Sequence, residues 1–482
     1  MNTHLVVIIA YAAGLVGLGF YVSRRVRSSS DFFVAGRRLS PRLLFATLLA
    51  ANIGGGSTVG AAGLGYQYGL SAWWWVGSAG LGQLILAATV GPRIWRLATS
   101  NGFYTLGDFL GWRYSPAVRV VIAVLLWLGS LSILAGQLIG IAWILNVVTG
   151  APKPVGCLLG GLCVTLYFSA GGLLSSVWVN VVQLTVKIAG LGLALPIALA
   201  AVGGWHGISR AAGAELSQGF LSITGIGTAG VFGYLVLLVP PFIVSPGLIQ
   251  KIYGAKDESA ARAGTAANGL VLLAYSIVPV LLGMAASAAF PGFQNREMAM
   301  PAVLMHLLPV WAGALALAAI FSAELNAADA VLFMLATSLS QDLYKSCLRP
   351  AASGERLLRV SRISSVIAGL LGVGLAIRLP TIISALSIFY GLVTVSLLVP
   401  VVAGLYARRP DAGTALAAIL ASVAVTTALH LATGGAGLWG VPPVPAGLLV
   451  SVAVFLCGNL RGKSPVRTLE SQFNEERKEK RP

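Results

Sequence analysis

The chain has 482 residues, 57% of them hydrophobic and 10% charged, with a mean hydropathy of +0.86. That balance excludes a soluble enzyme and describes a polytopic membrane protein. The net charge of +17 does not point to nucleic acid, because the basic residues lie in short runs between apolar segments, where they belong to the membrane surface.

Thirteen apolar segments follow one another, at 4–22, 42–68, 71–91, 116–148, 154–170, 175–202, 226–249, 263–289, 309–340, 360–379, 381–405, 412–432 and 443–460. Most approach the roughly 20 residues that a helix needs to cross a bilayer. The expected fold class is therefore an all-α membrane protein of about 13 transmembrane helices. Assigning alternate connections to the cytoplasm gathers 27 of the 32 Lys and Arg there, which is the asymmetry of the positive-inside rule. It places the N-terminus outside and the C-terminus in the cytoplasm. The first segment lacks a basic leader and a small-residue cleavage site, so it reads as a retained span. Cys157, Cys163, Cys347 and Cys457 show neither metal spacing nor a disulfide framework. The tail from Arg461 to Pro482 is charged and short, with the composition of a disordered segment and no room for a signalling domain.

The stretch Arg42–Leu70 carries no charge after Arg42, yet its middle reads Asn52-Ile53-Gly54-Gly55-Gly56-Ser57-Thr58. Each glycine weakens a helix by about 1 kcal/mol relative to alanine. Unwound backbone at membrane depth is tolerated only where protein or a polar cavity surrounds it. Two readings stand: carbonyls freed to hold a cation, as in the broken helices of transporters, or a small-residue face for close helix packing. The segment 226–249 is interrupted in turn by Pro240-Pro241 and by Ser245-Pro246-Gly247. Interruptions at matching places in two halves of a chain point to a midplane binding site.

Several motifs resemble the sodium:solute symporter family in the family's order. Asp31-Phe32-Phe33-Val34-Ala35-Gly36-Arg37 precedes the first core helix, and Ala50-Ala51-Asn52-Ile53 is similar to the family's first sodium-site segment. Gly60 and Gly63-Leu64-Gly65-Tyr66 follow, then Tyr104-Thr105-Leu106-Gly107-Asp108-Phe109-Leu110 with Arg113-Tyr114. Gly171-Gly172 to Gln183 and Gln341-Asp342-Leu343-Tyr344-Lys345 complete the set. The resemblance implies a LeuT-like core of two inverted five-helix repeats, at 42–202 and 226–405. Around it lie an extra span and hinge at 1–41, an extracellular loop at 203–225, two extra spans at 406–460 and a cytoplasmic tail at 461–482. It also implies a primary sodium site made by the carbonyls of Ala50, Ile53 and Ala323 and the side-chain oxygen of Asn326. Ala327 stands where the family usually offers a hydroxyl.

Lys187, Glu324 and Asp329 lie inside apolar segments, where a charge costs at least about 2.5 kcal/mol. They are functional candidates by default, with a mutually neutralising structural pair as the plain alternative. The family commonly has an aspartate where this chain has Asn180, and Asp329 is expected to restore that charge from the facing helix, beside Asn180. Lys187 is expected either to pair with Asp329 or Glu324 or to put its ammonium where the cation would sit. Expected solute contacts are Gln83 and Gln137, with Asn52, Gly55, Ser57 and Thr58 from the unwound stretch and Tyr390 as a gate. Trp73, Trp74 and Trp75 read as an interfacial aromatic belt.

The expected function is a symporter of the cytoplasmic membrane, in which inward sodium movement drives uptake of a small organic solute by alternating access. A proton-coupled or uncoupled transporter using Lys187, Glu324 and Asp329 is the first alternative, and a transport-silent receptor is a remote one, against which the short tail argues. No catalytic motif and no cofactor are expected. The expected partners are the solute, sodium and the bilayer, with the monomer as the working unit and no nucleic acid.

Overall fold

The computed structural model describes residues 3–23, 34–407, 411–438 and 441–461, without the side chains of 167–180, 214–218 and a few other positions. Among the described residues the chain is helical, apart from isolated bridges at Leu39–Ala255 and Leu438–Val441. Eight helices there are long and apolar enough to cross a membrane, and one bent pair makes nine. Thr3–Leu15, Lys153–Leu166 and Pro443–Gly458 are shorter apolar helices. The thirteen segments read from the sequence fall on these eight, on the three shorter helices and on the bent pair, which the sequence reading divides into 42–68 and 71–91. The backbone is helical over α8 (Lys153–Ala201), and the division expected between 154–170 and 175–202 falls where side chains are not described.

Helix starts follow from capping chemistry. Ser40 accepts from Leu43 N ahead of Pro41, which opens α2 (Pro41–Asn52), and Ser115 does the same ahead of α7 (Pro116–Thr149). Thr105 and Asp108 form a capping box on α6 (Leu106–Arg113). The chain is organised around α15 (Val310–Thr337), in which 24 of 28 residues are buried. It packs against α1 (Thr3–Ser23), α7, α8 and α16 (Gly354–Arg378). Tyr11 on α1 donates to Ser322 Oγ on α15 at 2.7 Å. Beyond Thr337 the helix widens into a π-turn over Ser338–Leu348, which carries Asp342.

Small residues let backbones approach closely, the usual device where lipid leaves no hydrophobic drive between helices. A Cβ on Gly283, in α13 (Ile277–Ala289), would lie 2.0 Å from Ala62 O of α3 (Val59–Tyr68). The helix opening the second half corrects one expectation. α10 (Gly227–Val244) runs straight through Pro240 and Pro241, and the break falls at Ser245, with φ −56° and ψ 124°. Proline disfavours the helical region for the residue before it. Pro246 thus ends α10 and starts α11 (Pro246–Tyr253).

α17 (Ile382–Tyr406) is pinned at its start by Glu297, a fully buried carboxylate in the turn Arg296–Met298, whose Oε1 accepts from Ile382 N at 2.6 Å. Its Oε2 has no hydrogen-bond partner. Burial pushes the Glu297 carboxyl up to about 7, against the opposing pull of the helix N–H groups. A carboxyl raised on folding supports the fold fully below its ordinary value and less as pH rises through its folded one. Thermal stability should therefore fall as pH rises from about 4.5 to about 7. The full effect is on the order of 3 kcal/mol at 1.36 kcal/mol per pH unit. In Glu297→Gln this part of the pH dependence should disappear, as melting curves across that window would read.

Candidate functional site

The chain stops being helical at Ile53 (φ −88°, ψ 84°) and resumes at Val59, and the pair of helical segments on either side is bent by 77°. Buried backbone groups need partners, and those released here find them one by one. Lys187 Nζ donates to Ala50 O at 2.8 Å and to Ile53 O at 3.0 Å. Ser57 Oγ donates to Asn52 O at 2.7 Å and accepts from Gly54 N at 3.0 Å. Gly55 N donates to Gln137 Oε1 at 2.7 Å, and Trp75 Nε1 donates to Gly56 O at 2.9 Å.

Helix α15 closes on this segment from one side. Built on Gly54, a Cβ would lie 2.3 Å from Ala327 Cβ and 3.6 Å from Ala323 O. On Gly55 it would lie 2.3 Å from Glu324 Oε2, and on Gly140 of α7 it would meet the same carboxyl at 2.6 Å. Glu324 is thus wedged between two glycine backbones, with Thr58 Oγ1 3.2 Å from its Oε1 and no hydrogen-bond partner for its Oε2. The glycines of the break serve both readings of the sequence at once: they unwind the helix and admit α15.

Two of the oxygens expected for a cation, Ala50 O and Ile53 O, share one partner here, and that partner is a side chain. Lys187 holds the Ala50 and Ile53 carbonyls, Ala323 O faces Gly54, Ala327 contributes only its methyl, and Asn326 Nδ2 donates to Gln183 Oε1. Of the two sequence readings of Lys187, the geometry has the ammonium in the cation's place, with Glu324 as the opposite charge acting on it. The Asn180 side chain lies outside the described residues, so its pairing with Asp329 has no geometry here. A charge that acts with Asp329 is Lys251, a buried residue of α11 that also donates to Thr47 Oγ1 at 3.3 Å.

A cavity of about 110 Å³ lies beside the break. Ala51, Asn52, Gly54, Gly56 and Ser57 line it from the first broken helix, and Phe242, Ser245, Leu248 and Lys251 line it from the second. Gln137, Trp75 and Tyr390 complete its polar and aromatic walls. Of the expected solute contacts, Asn52, Ser57, Gln137 and Tyr390 line this cavity, while Gly55 and Thr58 stand behind it, turned to Gln137 and Glu324. Gln83 is elsewhere. It is buried between α4 (Trp73–Ala88) and α12 (Glu258–Tyr275), accepting from Asn268 at 3.0 Å, so its polarity serves helix packing. Trp75 corrects the expectation of an interfacial belt, being 3% exposed with its indole on Gly56.

Two residues missed from sequence had signals. Lys251 follows Pro246 by five positions, inside the helix that a proline start implies. Trp75 stands two positions into a helix whose next residues are small, a pattern of inward packing.

The two ends of the cavity differ. Tyr390 packs on Phe242 (ring centroids 5.6 Å apart) and Trp75 (6.1 Å), and Trp75 packs on Tyr234 (5.8 Å). Tyr234 borders a larger recess of about 1170 Å³, so these rings stand between it and the cavity. At the other end polar contacts tie the helices together. Arg119 bonds Asp108 at 2.7 Å and Asp342 at 3.1 Å, Thr105 donates to Asp342 at 2.6 Å, and Arg37 donates to Phe103 O at 2.7 Å and Tyr253 O at 3.1 Å. Aromatic rings wall one end, and ion pairs seal the other.

The family model described as sodium:solute symporter family matches residues 32–422. The Escherichia coli (strain K12) sodium/pantothenate symporter is 27% identical over 486 residues, covering 95% of this chain and 96% of that protein. The Vibrio parahaemolyticus sodium/glucose cotransporter is 26% identical, covering 87% and 83%. Among solved structures, a Na+-coupled sialic acid symporter in a substrate-bound outward-open state superposes with a TM-score of 0.83 at 18% identity, over 96% of this chain and 98% of that one. MHP1, a nucleobase-cation-symport-1 family transporter, gives 0.56 at 16% identity, over 90% and 95%. The fold is that of the LeuT-like transporters.

Gly55→Ala would put a methyl into Glu324 and Gln137, and overpacking of this kind costs about 1–3 kcal/mol. It should cut solute uptake at least tenfold while the protein still reaches the membrane, as uptake normalised to membrane protein would report.

Proposed function

This chain belongs to the sodium:solute symporter family, and we propose that within it the chain is a secondary active symporter of a bacterial-type cytoplasmic membrane, drawing a small organic solute inward with sodium. The observation that carries the reading is that both broken helices line one cavity, with Asn52 and Ser57 on one wall and Ser245 and Lys251 on the other. A site built where two helices are interrupted is the arrangement around which alternating access turns. The solute meets aromatic faces at Trp75, Phe242 and Tyr390 and polar groups at Asn52, Ser57 and Gln137, while Lys251 adds one ammonium to the wall.

The segments 42–202 and 226–405 are taken as the two inverted repeats, and one rocks against the other. The end held by Arg119 and Asp342 is placed in the cytoplasm, in keeping with the basic connections gathered there, which leaves the N-terminus outside and the C-terminus inside. Transport then requires this sealed end to open as the aromatic end closes. The working unit is taken to be the monomer, since both walls of the cavity come from one chain. The activity is translocation, with no bond made or broken.

Reconstitution into proteoliposomes tests the proposal. Pantothenate, glucose and proline, the solutes named for relatives, serve as the first panel and broader solute pools as the second. Accumulation above equilibrium under an inward sodium gradient, collapsed by a sodium ionophore and absent with potassium, is the expected result. Binding of a solute with no accumulation under any ion gradient would leave a receptor and remove the transporter.

A further inference from the structure

The first charge of interest is one that the transport reading does not use. Lys187 is 1% exposed, and its ammonium lies 2.8 Å from Ala50 O and 3.0 Å from Ile53 O. Ala50 lies in the last turn of α2 and Ile53 just past it, and neither carbonyl is taken by the amide four residues on, since Gly54 N donates to Ser57 Oγ and Ser57 N to Gly54 O. A hard cation bound to the same pair would sit closer still, at about 2.3–2.6 Å for an ion of calcium's size, which sodium matches. Two positive charges cannot share two oxygens at that spacing within a buried site, where little solvent screens them.

We propose that Lys187 is a tethered cation that competes with sodium, so that the ammonium and the ion are mutually exclusive occupants of the Ala50 and Ile53 carbonyls. The inference rests on the symporter reading only for the identity of the competing ion; the competition itself follows from the geometry. A lysine chain is flexible and its ammonium can change partners, and the second perch is present. Glu324 is the opposite charge acting on Lys187, is fully buried, and has one carboxylate oxygen without a hydrogen-bond partner. The other buried charges of this region are Glu297, which acts on Glu324, and Asp329 and Lys251, which act on each other. Sodium arriving at the carbonyls thus displaces Lys187 toward Glu324, and loss of sodium lets the ammonium return and satisfy the broken backbone. The site carries its own resting occupant, which keeps the unwound segment formed between transport cycles and weakens sodium binding by the work of displacement.

The test uses the full-length purified protein and its melting temperature as sodium chloride replaces potassium chloride at constant ionic strength. Lys187→Met should lower the sodium concentration for half the maximal shift at least tenfold. Glu324→Gln, which removes the second perch, should raise it several-fold. An unchanged half-saturation in Lys187→Met, or a shift that potassium reproduces, overturns the proposal and marks Lys187 as purely structural. Where Lys187→Met fails to fold, Glu324→Gln decides: a raised half-saturation supports the competition and an unchanged one overturns it. Uptake separates this result from the function. If the parent transports without sodium while Lys187→Met responds to sodium selectively, the competition stands and the sodium coupling proposed above falls. If sodium drives uptake in the parent and Lys187→Met shows no gain, the function stands and the competition falls.

Discussion

Backbone polarity at membrane depth is the constraint on which the rest of the molecule depends. A helix can be broken inside a bilayer only if every released N–H and C=O finds a partner within the protein. Between Ala50 and Thr58 those partners come from four directions: Lys187, Ser57, Gln137 and Trp75. Ser57 lies within the break itself and the other three arrive on separate helices, so the break fixes how several helices meet. The helix α15 then fills the hollow that the glycines leave, and Glu324 is the side chain driven into it. The site and the fold are therefore one arrangement, since loosening the break would unsatisfy the core.

From that junction the polarity of the two ends acquires a meaning. The Arg119, Asp108 and Asp342 cluster draws α6, α7 and the π-turned end of α15 together, and the absence of a Cβ on Gly107 lets Asp342 approach, since one there would lie 2.5 Å from its Oδ1. Partly buried ion pairs of this kind are strong while water is excluded and weak once it enters. That makes them suited to a seal that opens. The aromatic end relies on ring contacts instead, which can slide without leaving an unpaired charge. The two ends of the cavity are thus built from different chemistry.

Much of this was legible in the sequence, and the remainder was not, for identifiable reasons. Three consecutive glycines in an apolar run pointed to a break or to close helix packing, and both hold, because a residue without a Cβ weakens a helix and also admits a neighbour. The charges of Lys187, Glu324 and Asp329 were equally visible, since a charge is too costly inside an apolar run to persist there without a role. Their partners were not visible, because partnership depends on how helices far apart in the chain are rotated. Lys251 was hidden by the basic loop that follows it: periodicity cannot say whether the last charge before Gly254 is inside or outside. Pro240 and Pro241 misled for the opposite reason, since a membrane helix tolerates proline where neighbours accommodate it. Gln83 shows that polarity in a span marks either a cavity or a helix pair, and only the packing against Asn268 tells which.

If two broken helices share one solute cavity, a bound solute shields both walls together, and cysteine protection reads this. In a background with the four native cysteines replaced, Ala51→Cys and Ser245→Cys would each be labelled by a small thiol reagent while the transported solute is titrated. One solute should protect both positions with the same half-saturating concentration, because both line the same space. Protection of one position with the other untouched, or of both at clearly different concentrations, would contradict a shared cavity.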